Sequence, residues 1–201
     1  CVVVTSRNRL GDLVARDGAH ALPLDLLLPD EARALLGQAL GVDRLFAEPL
    51  AVDELIRLCG SLPLALRVAA ARLAGDPGLR LADLVAELSE GNRLEALEPD
   101  QDNNSPLHTA FSVSYRVLAP AARRLFRLLG LFPGPELTAE VAAALLDIPL
   151  RQARRLLSAL ATAHLIEPAA AGRYRFHDLL REYAQKRAQA EETAADRGAA
   201  S

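Results

Sequence analysis

From Pro29 onwards the chain repeats one pattern, in which apolar residues recur at helical spacing until a glycine ends the run. In the first run the residues at positions i, i+3, i+4, i+7 and i+8 are Ala32, Leu35, Leu36, Ala39 and Leu40. This spacing places them on one face of a helix. Gly41 follows, and glycine readily takes the left-handed conformation that ends helices. The same pattern predicts further helices over about 51–59, 62–74 and 80–90. A chain built in this way folds as packed helices.

The composition also favours a mainly α fold. Apolar residues make up 51% of the chain but aromatic residues only 4%, so the core is built from Leu, Ala and Val. Every apolar run is broken before the roughly 18 residues that a membrane span needs, and no stretch has the pattern of a signal peptide. Cys1 and Cys59 match no disulfide framework or zinc spacing. We therefore expect a cytoplasmic protein with reduced thiols and no membrane partner.

Two segments before Pro29 have the pattern of strands. Cys1–Ser6 is a short β-branched run, as in a buried strand of a parallel sheet, and apolar residues alternate over His20–Leu27. Two strands cannot form such a sheet alone, so we interpret them as the last strands of an α/β nucleotide-binding sheet. The chain also contains no Met and opens directly on the first run. We therefore expect it to be an internal piece of a longer protein.

The second half has the pattern of a winged helix. Helices are predicted near 106–118 and 120–131, and Thr138 begins a tighter unit as the cap of a helix. The predicted elements of this unit are helices at 139–147 and 150–163, strands at 165–167 and 173–176, and a closing helix from 179 to about 190 capped by Asp178. Helix, turn, helix, strand, hairpin, strand is the order of a winged helix.

The polar, proline-bounded stretch Glu98–Pro106 marks the main boundary. Residues 1–100 carry a net charge of −6, and residues 101–201 carry a net charge of +3. We predict four parts along the chain: the end of a nucleotide-binding α/β domain (1–28), a helical domain (29–100), a winged-helix domain (101–190) and a linker (191–201). We expect the linker to lead to a further domain.

Three residues are candidates for contact with a ligand. Arg7 follows the first predicted strand, where open α/β sheets bind ligands, and its guanidinium could bind a terminal phosphate. Pro63 stands in the first turn of a helix after Gly60 and a capping Ser61, at an abrupt apolar corner. His177 lies between the last strand and the closing helix. Each also has an ordinary structural interpretation, as a solvated arginine, a helix-to-helix turn and a structural histidine.

Three arginines of the second helix of the helix-turn-helix, Arg151, Arg154 and Arg155, share one polar face. A recognition helix that contacts DNA phosphates and guanine edges has this pattern. A solvated helix face has it as well. The net charge of only +3 in this half of the chain favours the solvated face.

The basic residues exclude one kind of nucleotide site. Of 23 basic residues only Lys186 is a lysine, so the chain contains no phosphate-binding loop of the form GxxxxGK[ST]. We therefore expect that the chain by itself is not an enzyme and does not hydrolyse ATP.

Taken together, five segments resemble the NB-ARC module of STAND-class signalling NTPases, most of all in the AfsR-like, SARP-type transcriptional regulators of actinobacteria. They are Val2–Arg7 (VVVTSR), Cys59–Leu66 (CGSLPLAL), Ser114–Pro120 (SYRVLAP), Arg124–Gly134 (RLFRLLGLFPG) and Phe176–Arg181 (FHDLLR). The resemblance covers roughly residues 1–188. Two positions depart from the family pattern, because Ser61 stands where many members carry Gly and Phe176 where Met is usual.

The resemblance implies a switch that binds ADP or ATP. Arg7 would be the sensor arginine that faces the γ-phosphate, Pro63 would pack on the adenine, and His177 would contact the β-phosphate of ADP. The helical and winged-helix domains would correspond to the family's ARC1 and ARC2 domains and close over the nucleotide. The phosphate loop and the Mg²⁺ ligands would lie upstream in the same protein, and a sensor domain would lie downstream.

We therefore interpret the chain as part of a nucleotide-controlled transcriptional regulator, which would self-associate when active and reach DNA through the full-length protein. Two alternatives remain open. The winged helix could bind DNA directly through Arg151, Arg154 and Arg155, or the chain could be a helical interaction scaffold.

Overall fold

The computed structural model describes residues 2–6, 10–22, 24–91, 93–97, 106–134, 136–169 and 172–200. Over these residues it contains thirteen helices and one two-stranded antiparallel sheet, which confirms the predicted mainly α class. The chain divides into two compact units. We call Asp25–Ala110 the helical unit, and Cys1–Leu24 with Phe111–Ser201 the mixed unit.

The two strands predicted before Pro29 are absent from the described residues of this segment, where the regular element is a short helix, α1 (Gly11–Asp17). Val2, Val3 and Val4 are 88%, 84% and 59% exposed. A strand needs a neighbour for its backbone N–H and C=O groups, and a parallel sheet is covered on both faces. The described residues supply neither to this segment, so the prediction of strands was wrong.

Six helices make up most of the helical unit. They are α2 (Pro29–Leu40), α3 (Val42–Ala47), α4 (Pro49–Leu58), α5 (Pro63–Gly75), α6 (Leu81–Glu90) and α7 (Arg93–Leu97). α2 packs on α5 and α4 packs on α6, around buried leucines such as Leu36, Leu66 and Leu84. The four longer helices were predicted within about two residues of their ends. α3 and α7 were not, because runs of six and five residues are too short to show a helical period.

Long-range polar contacts satisfy the ends of these helices. The carboxylate of Glu48 accepts hydrogen bonds from the N–H groups of Leu81 (3.2 Å) and Ala82 (3.1 Å) in the first turn of α6. The guanidinium of Arg44 donates to the carbonyls of Leu73 (2.8 Å) and Leu79 (2.6 Å) around the end of α5. Helix termini leave such groups without an intrahelical partner, so these side chains hold the short α3–α4 segment against its neighbours.

The mixed unit contains the remaining elements. They are α8 (Pro106–Arg116), which begins in the helical unit, α9 (Pro120–Leu131), α10 (Ala139–Leu146), α11 (Leu150–Thr162), β1 (Glu167–Pro168), β2 (Tyr174–Arg175), α12 (Asp178–Glu191) and α13 (Ala194–Ala200). In the antiparallel pair Glu167 lies opposite Arg175. α9 is central, because α10, α11, α12 and α13 all pack against it.

The core of the mixed unit is aromatic. The ring of Phe126 on α9 lies 5.8 Å from Tyr115, 5.3 Å from Phe176 and 6.2 Å from Tyr183, measured between centroids. These few rings therefore join α8, α9, α12 and the end of β2, although aromatic residues are rare in the chain. No helix of the described residues is long and apolar enough to cross a membrane.

The predicted order of elements over 139–176 is present, and the hydroxyl oxygen of Thr138 caps α10 by accepting from the N–H of Val141. Two details differ. The N-cap of α12 is His177 and not Asp178, which lies one residue inside the helix. The segment predicted as a linker is helical over Ala194–Ala200, where Thr193 caps the helix and Asp196 pairs with Arg124 of α9. Such a distant partner leaves no local signal in the sequence.

Candidate functional site

The corner around Pro63 is built by the end of α4. The N–H of Gly60 donates to the carbonyl of Arg57 and the N–H of Ser61 to that of Ile56, both at 3.0 Å. These two bonds form a Schellman motif, in which Gly60 takes a left-handed φ of 58°. The chain then turns sharply into α5, whose first residue is Pro63.

Ser61 is also left-handed, with φ of 55°, which is uncommon for a residue that has a Cβ atom. Its predicted role as a cap was wrong, because Leu62 is the N-cap of α5 and no side chain caps this helix. The carbonyl of Ser61 instead accepts a hydrogen bond from the N–H of Leu27 at 3.2 Å. The half-buried Pro63 therefore stands on a rigid corner tied to the segment before α2.

His177 is held by the helix that it caps. Its Nδ1 accepts a hydrogen bond from the N–H of Leu179 at 3.3 Å, and its side chain is half-buried. Because Nδ1 accepts, the neutral ring carries its hydrogen on Nε2, which is then a donor. The N-terminus of the 14-residue α12 adds a positive electrostatic potential at this position.

Neighbours of His177 fix the backbone around it. Phe176 is buried against Phe126, so the apolar character of this position is retained with Phe in place of Met. The guanidinium of Arg181 donates to the carbonyl of Gly134 at 3.0 Å and lies 5.9 Å from the centroid of the Phe176 ring. The segment Phe176–Arg181 therefore ties the start of α12 to the loop that follows α9.

The predicted arginine face is present on α11. Arg151, Arg154 and Arg155 are exposed, while the opposite face of the helix, which carries Ala153, Leu157 and Leu160, is buried. Hydrogen bonds to its own backbone N–H and to Thr138 lower the pKa of the Glu140 carboxyl, and the nearby charge of Arg154 adds a smaller effect in the same direction. The face is thus a solvated, positively charged surface.

The three nucleotide-site candidates belong to different parts of the chain. Arg7 lies outside the described residues. Pro63 belongs to the helical unit and His177 to the mixed unit. No group of three or more His, Cys, Asp or Glu side chains within the described ranges is arranged to hold a metal ion.

An ionic cluster in the mixed unit escaped the sequence analysis. Arg127 of α9, with a side chain only 12% exposed, donates to Glu192 through Nε (2.5 Å) and to Glu191 (2.8 Å) and Tyr115 (2.5 Å) through Nη1. Hydrogen bonding to Tyr115 and Glu192 raises the pKa of Arg127 despite its burial, which lowers it. The sequence shows Arg124 and Arg127 three residues apart and the adjacent Glu191 and Glu192. No local pattern indicates that these two pairs contact each other.

Comparison with known proteins gives two curated relatives, both named regulatory protein AfsR. The chain is 42% identical over 199 residues to AfsR of Streptomyces coelicolor, which covers 99% of the chain and 19% of that protein. It is 42% identical over 190 residues to AfsR of Streptomyces griseus, which covers 94% of the chain and 19% of that protein. No family model matches the chain. The chain is therefore related to a portion of the AfsR regulatory proteins and spans about a fifth of their length.

Proposed function

We propose that this chain is the regulatory part of an NB-ARC-like switch that binds ADP or ATP in a transcriptional regulator. The observation that carries the proposal is the N-cap position of His177, which pairs a donor nitrogen with the N-terminus of α12. The relation to a portion of AfsR supports the regulatory role. In this proposal residues 29–100 form the ARC1-like domain and residues 101–190 form the ARC2-like winged-helix domain.

The residues of the chain fit a nucleoside diphosphate in two respects. The Nε2–H of His177 and the α12 N-terminus both favour an anion, as the β-phosphate of ADP requires. Pro63 offers a half-buried, rigid apolar surface suited to a flat base. When bound, ADP would offer its β-phosphate to His177 and its adenine to Pro63. The expected result is a closed state that persists while ADP is bound.

The remaining parts of the switch are proposed to lie elsewhere in the same protein. A preceding segment would supply the phosphate loop and the Mg²⁺ ligands, and Arg7 would sense the γ-phosphate. A following sensor domain would bias the open state, in which the cytoplasmic regulator self-associates and acts on DNA. By itself the chain is expected to bind ADP poorly and to leave ATP unhydrolysed, since it has no phosphate-loop lysine.

The test of this proposal is the release of ADP from a protein that contains the chain together with its phosphate loop. In His177→Ala we expect about tenfold to a hundredfold faster release, because a charge-assisted hydrogen bond contributes about 1.5–3 kcal/mol. Fluorescent ADP displaced by excess ATP gives the rate. Basal transcriptional output should rise in parallel.

The matched variant is His177→Asn, because Asn is a good N-cap and preserves the bond to Leu179. It should melt near the wild-type temperature yet still lose ADP quickly. If His177→Ala only melts earlier, with unchanged ADP release and transcription, His177 is a structural cap and its proposed role in the switch is wrong.

The second candidate function is direct binding of DNA by the winged helix. The exposed arginine face of α11 favours it, because the side chains of Arg151, Arg154 and Arg155 all reach solvent. The acidic net charge of the whole chain, −3, opposes it.

A further inference from the structure

Helix α13 packs against α9 but buries few apolar side chains there. Among the side chains of α13 that the structure describes, Ala200 is buried, Asp196 and Arg197 are half-buried, and Ala194 and Ala195 are exposed. A helix of seven residues that contains a glycine is not stable alone in water. The docking of α13 therefore depends largely on polar contacts with the rest of the mixed unit.

Arg124 of α9 makes the polar contact that reaches α13. Its Nη2 lies 2.9 Å from Oδ1 of Asp196, in the first turn of α13. The other oxygen of this carboxylate accepts from Thr193 Oγ1 at 2.7 Å, and the N–H of Asp196 donates to the same hydroxyl at 3.2 Å. Asp196 therefore belongs to the cap that begins α13 and also ties α13 to α9.

The joint between α12 and α13 is held more firmly than α13 itself. Glu192, the C-cap of α12, has a side chain only 5% exposed, and it accepts from Nε of Arg127 at 2.5 Å. The side chain of Asp196 is 32% exposed. Breaking a buried ion pair is strongly destabilising, whereas a more exposed pair contributes little and is screened by salt. The joint is therefore fixed, and the helix beyond it is weakly held.

We propose that α13 is a detachable latch, which leaves α9 when the contact between Arg124 and Asp196 is lost. During release α12 and the pair of Arg127 with Glu192 stay in place, and residues 193–200 lose their helical form. The release is a local unfolding step within an otherwise folded chain. It needs no contribution from the corner at Pro63 or from the turn at His177.

The latch offers a place where a neighbouring domain could act on the mixed unit. A domain that follows α13, as the proposed function expects, would pull on this helix before it reached α9. That consequence rests on the proposed function, whereas the latch itself does not. The latch is therefore tested in the chain alone and without nucleotide.

The test is amide hydrogen exchange of the intact chain, followed by mass spectrometry at about 0.01 M and about 1 M NaCl, between which the Debye length falls from about 30 Å to about 3 Å. Rates are divided by those of a free peptide of the same sequence, which removes the effect of salt on the exchange chemistry. We expect residues 194–200 to be protected at low salt and to exchange about twofold to fivefold faster at high salt. Residues 181–190 of α12 should not change.

Three variants separate the latch contact from general charge effects. Arg124→Gln and Asp196→Asn should each speed exchange of 194–200 at low salt about twofold to fivefold and reduce its response to salt. The double variant should exchange no faster than either single variant, because both remove the same contact. Arg155→Gln removes an exposed arginine of α11 and is the matched control, which should behave as wild type. Asp196→Asn should leave the midpoint of urea unfolding unchanged, because α13 leaves before the rest of the chain unfolds.

Several results would overturn the proposal. Exchange of 194–200 that is as slow as that of α12 and independent of salt would show that α13 is an integral part of the fold. Exchange at the rate of the free peptide under all conditions would show that α13 does not dock. An equal acceleration in Arg155→Gln would indicate a response to net charge. A lower urea midpoint in Asp196→Asn would show that α13 unfolds together with the rest of the mixed unit.

Discussion

Ser61 departs from the glycine that the family pattern favours, yet the structure places it in the left-handed region that suits glycine. The reason lies in its neighbours, because the Schellman bonds of Gly60 and Ser61 and the contact from Leu27 impose the turn. A residue with a Cβ atom pays a conformational penalty there. The corner that carries Pro63 is therefore rigid but strained.

Ser61→Gly should stabilise the chain by up to about 1 kcal/mol, since relief of a left-handed conformation, about 1–2 kcal/mol, exceeds the added entropy of the unfolded chain. Gly60→Ala is the matched control and should destabilise, because it places a Cβ atom at φ of 58°. Calorimetric melting gives both values. A lower melting temperature for Ser61→Gly would contradict the argument from strain.

Cys59 is fully buried at the end of α4, and burial raises the pKa of its thiol to about 12, an effect that Arg93 only partly offsets. About one thiol in ten thousand is then ionised at pH 8, and the thiolate is the reactive form. In a Cys1→Ser background we expect no reaction with a disulfide reagent in native buffer and complete reaction in urea. Rapid reaction of the native chain would show that this corner opens.

Helices α9 and α12 approach each other closely at Gly130. A Cβ atom at this position would lie 2.6 Å from the Cβ of Ala184 and 3.1 Å from the backbone N of Gln185. The side-chain Nε2 of Gln185 also donates a hydrogen bond to the carbonyl of Gly130 at 3.0 Å. Gly130 and Ala184 are both small, so α9 and α12 can pack closely at this point.

Gly130→Ala should destabilise the chain by about 1–3 kcal/mol, because overpacking outweighs the gain of up to about 1 kcal/mol in helix propensity. Gly198→Ala in α13 is the control, since nothing lies within 4 Å of its added Cβ, and it should be neutral or stabilising. The double variant Gly130→Ala with Ala184→Gly should recover part of the loss, measured by urea denaturation. Additive losses would indicate that the two residues do not touch.

For the whole molecule, charge is distributed unevenly, with the acidic excess in residues 1–100 and a mild basic excess in residues 101–201. The exposed arginine face of α11 is the most evident basic surface among the described residues, but it holds only three charges. A small basic face attracts DNA phosphates weakly and in a salt-dependent manner, and it does not contact the base edges that would give sequence specificity.

We therefore expect the chain to bind duplex DNA without sequence preference, with a Kd of about 10⁻⁴ M or weaker at physiological salt. Arg151→Ala with Arg155→Ala should reduce even this binding, while Arg67→Ala in the helical unit should not. Fluorescence anisotropy with two unrelated duplexes measures it. A sequence-specific complex that the double variant abolishes would make direct DNA reading the better account of the winged helix.

Short-range patterns in the sequence determined the helices of eight residues or more, the order of elements over 139–176 and the exposed face of α11. Helical period, glycine stops and the Thr138 cap all act within a few residues, so they can be read from the chain alone. The candidates Pro63 and His177 were found from such motifs, and their local settings, a sharp corner and the start of a helix, follow from the same short-range chemistry.

Tertiary structure decided what depends on distant partners. The β-branched run at Val2–Val4 has strand propensity but no neighbouring strand among the described residues to complete its hydrogen bonds. The ionic cluster joins Arg127 to Glu192, 65 residues later, and the helix at Ala194–Ala200 packs on α9. Contacts between residues far apart in the chain are set by packing, so they cannot be predicted from local sequence patterns.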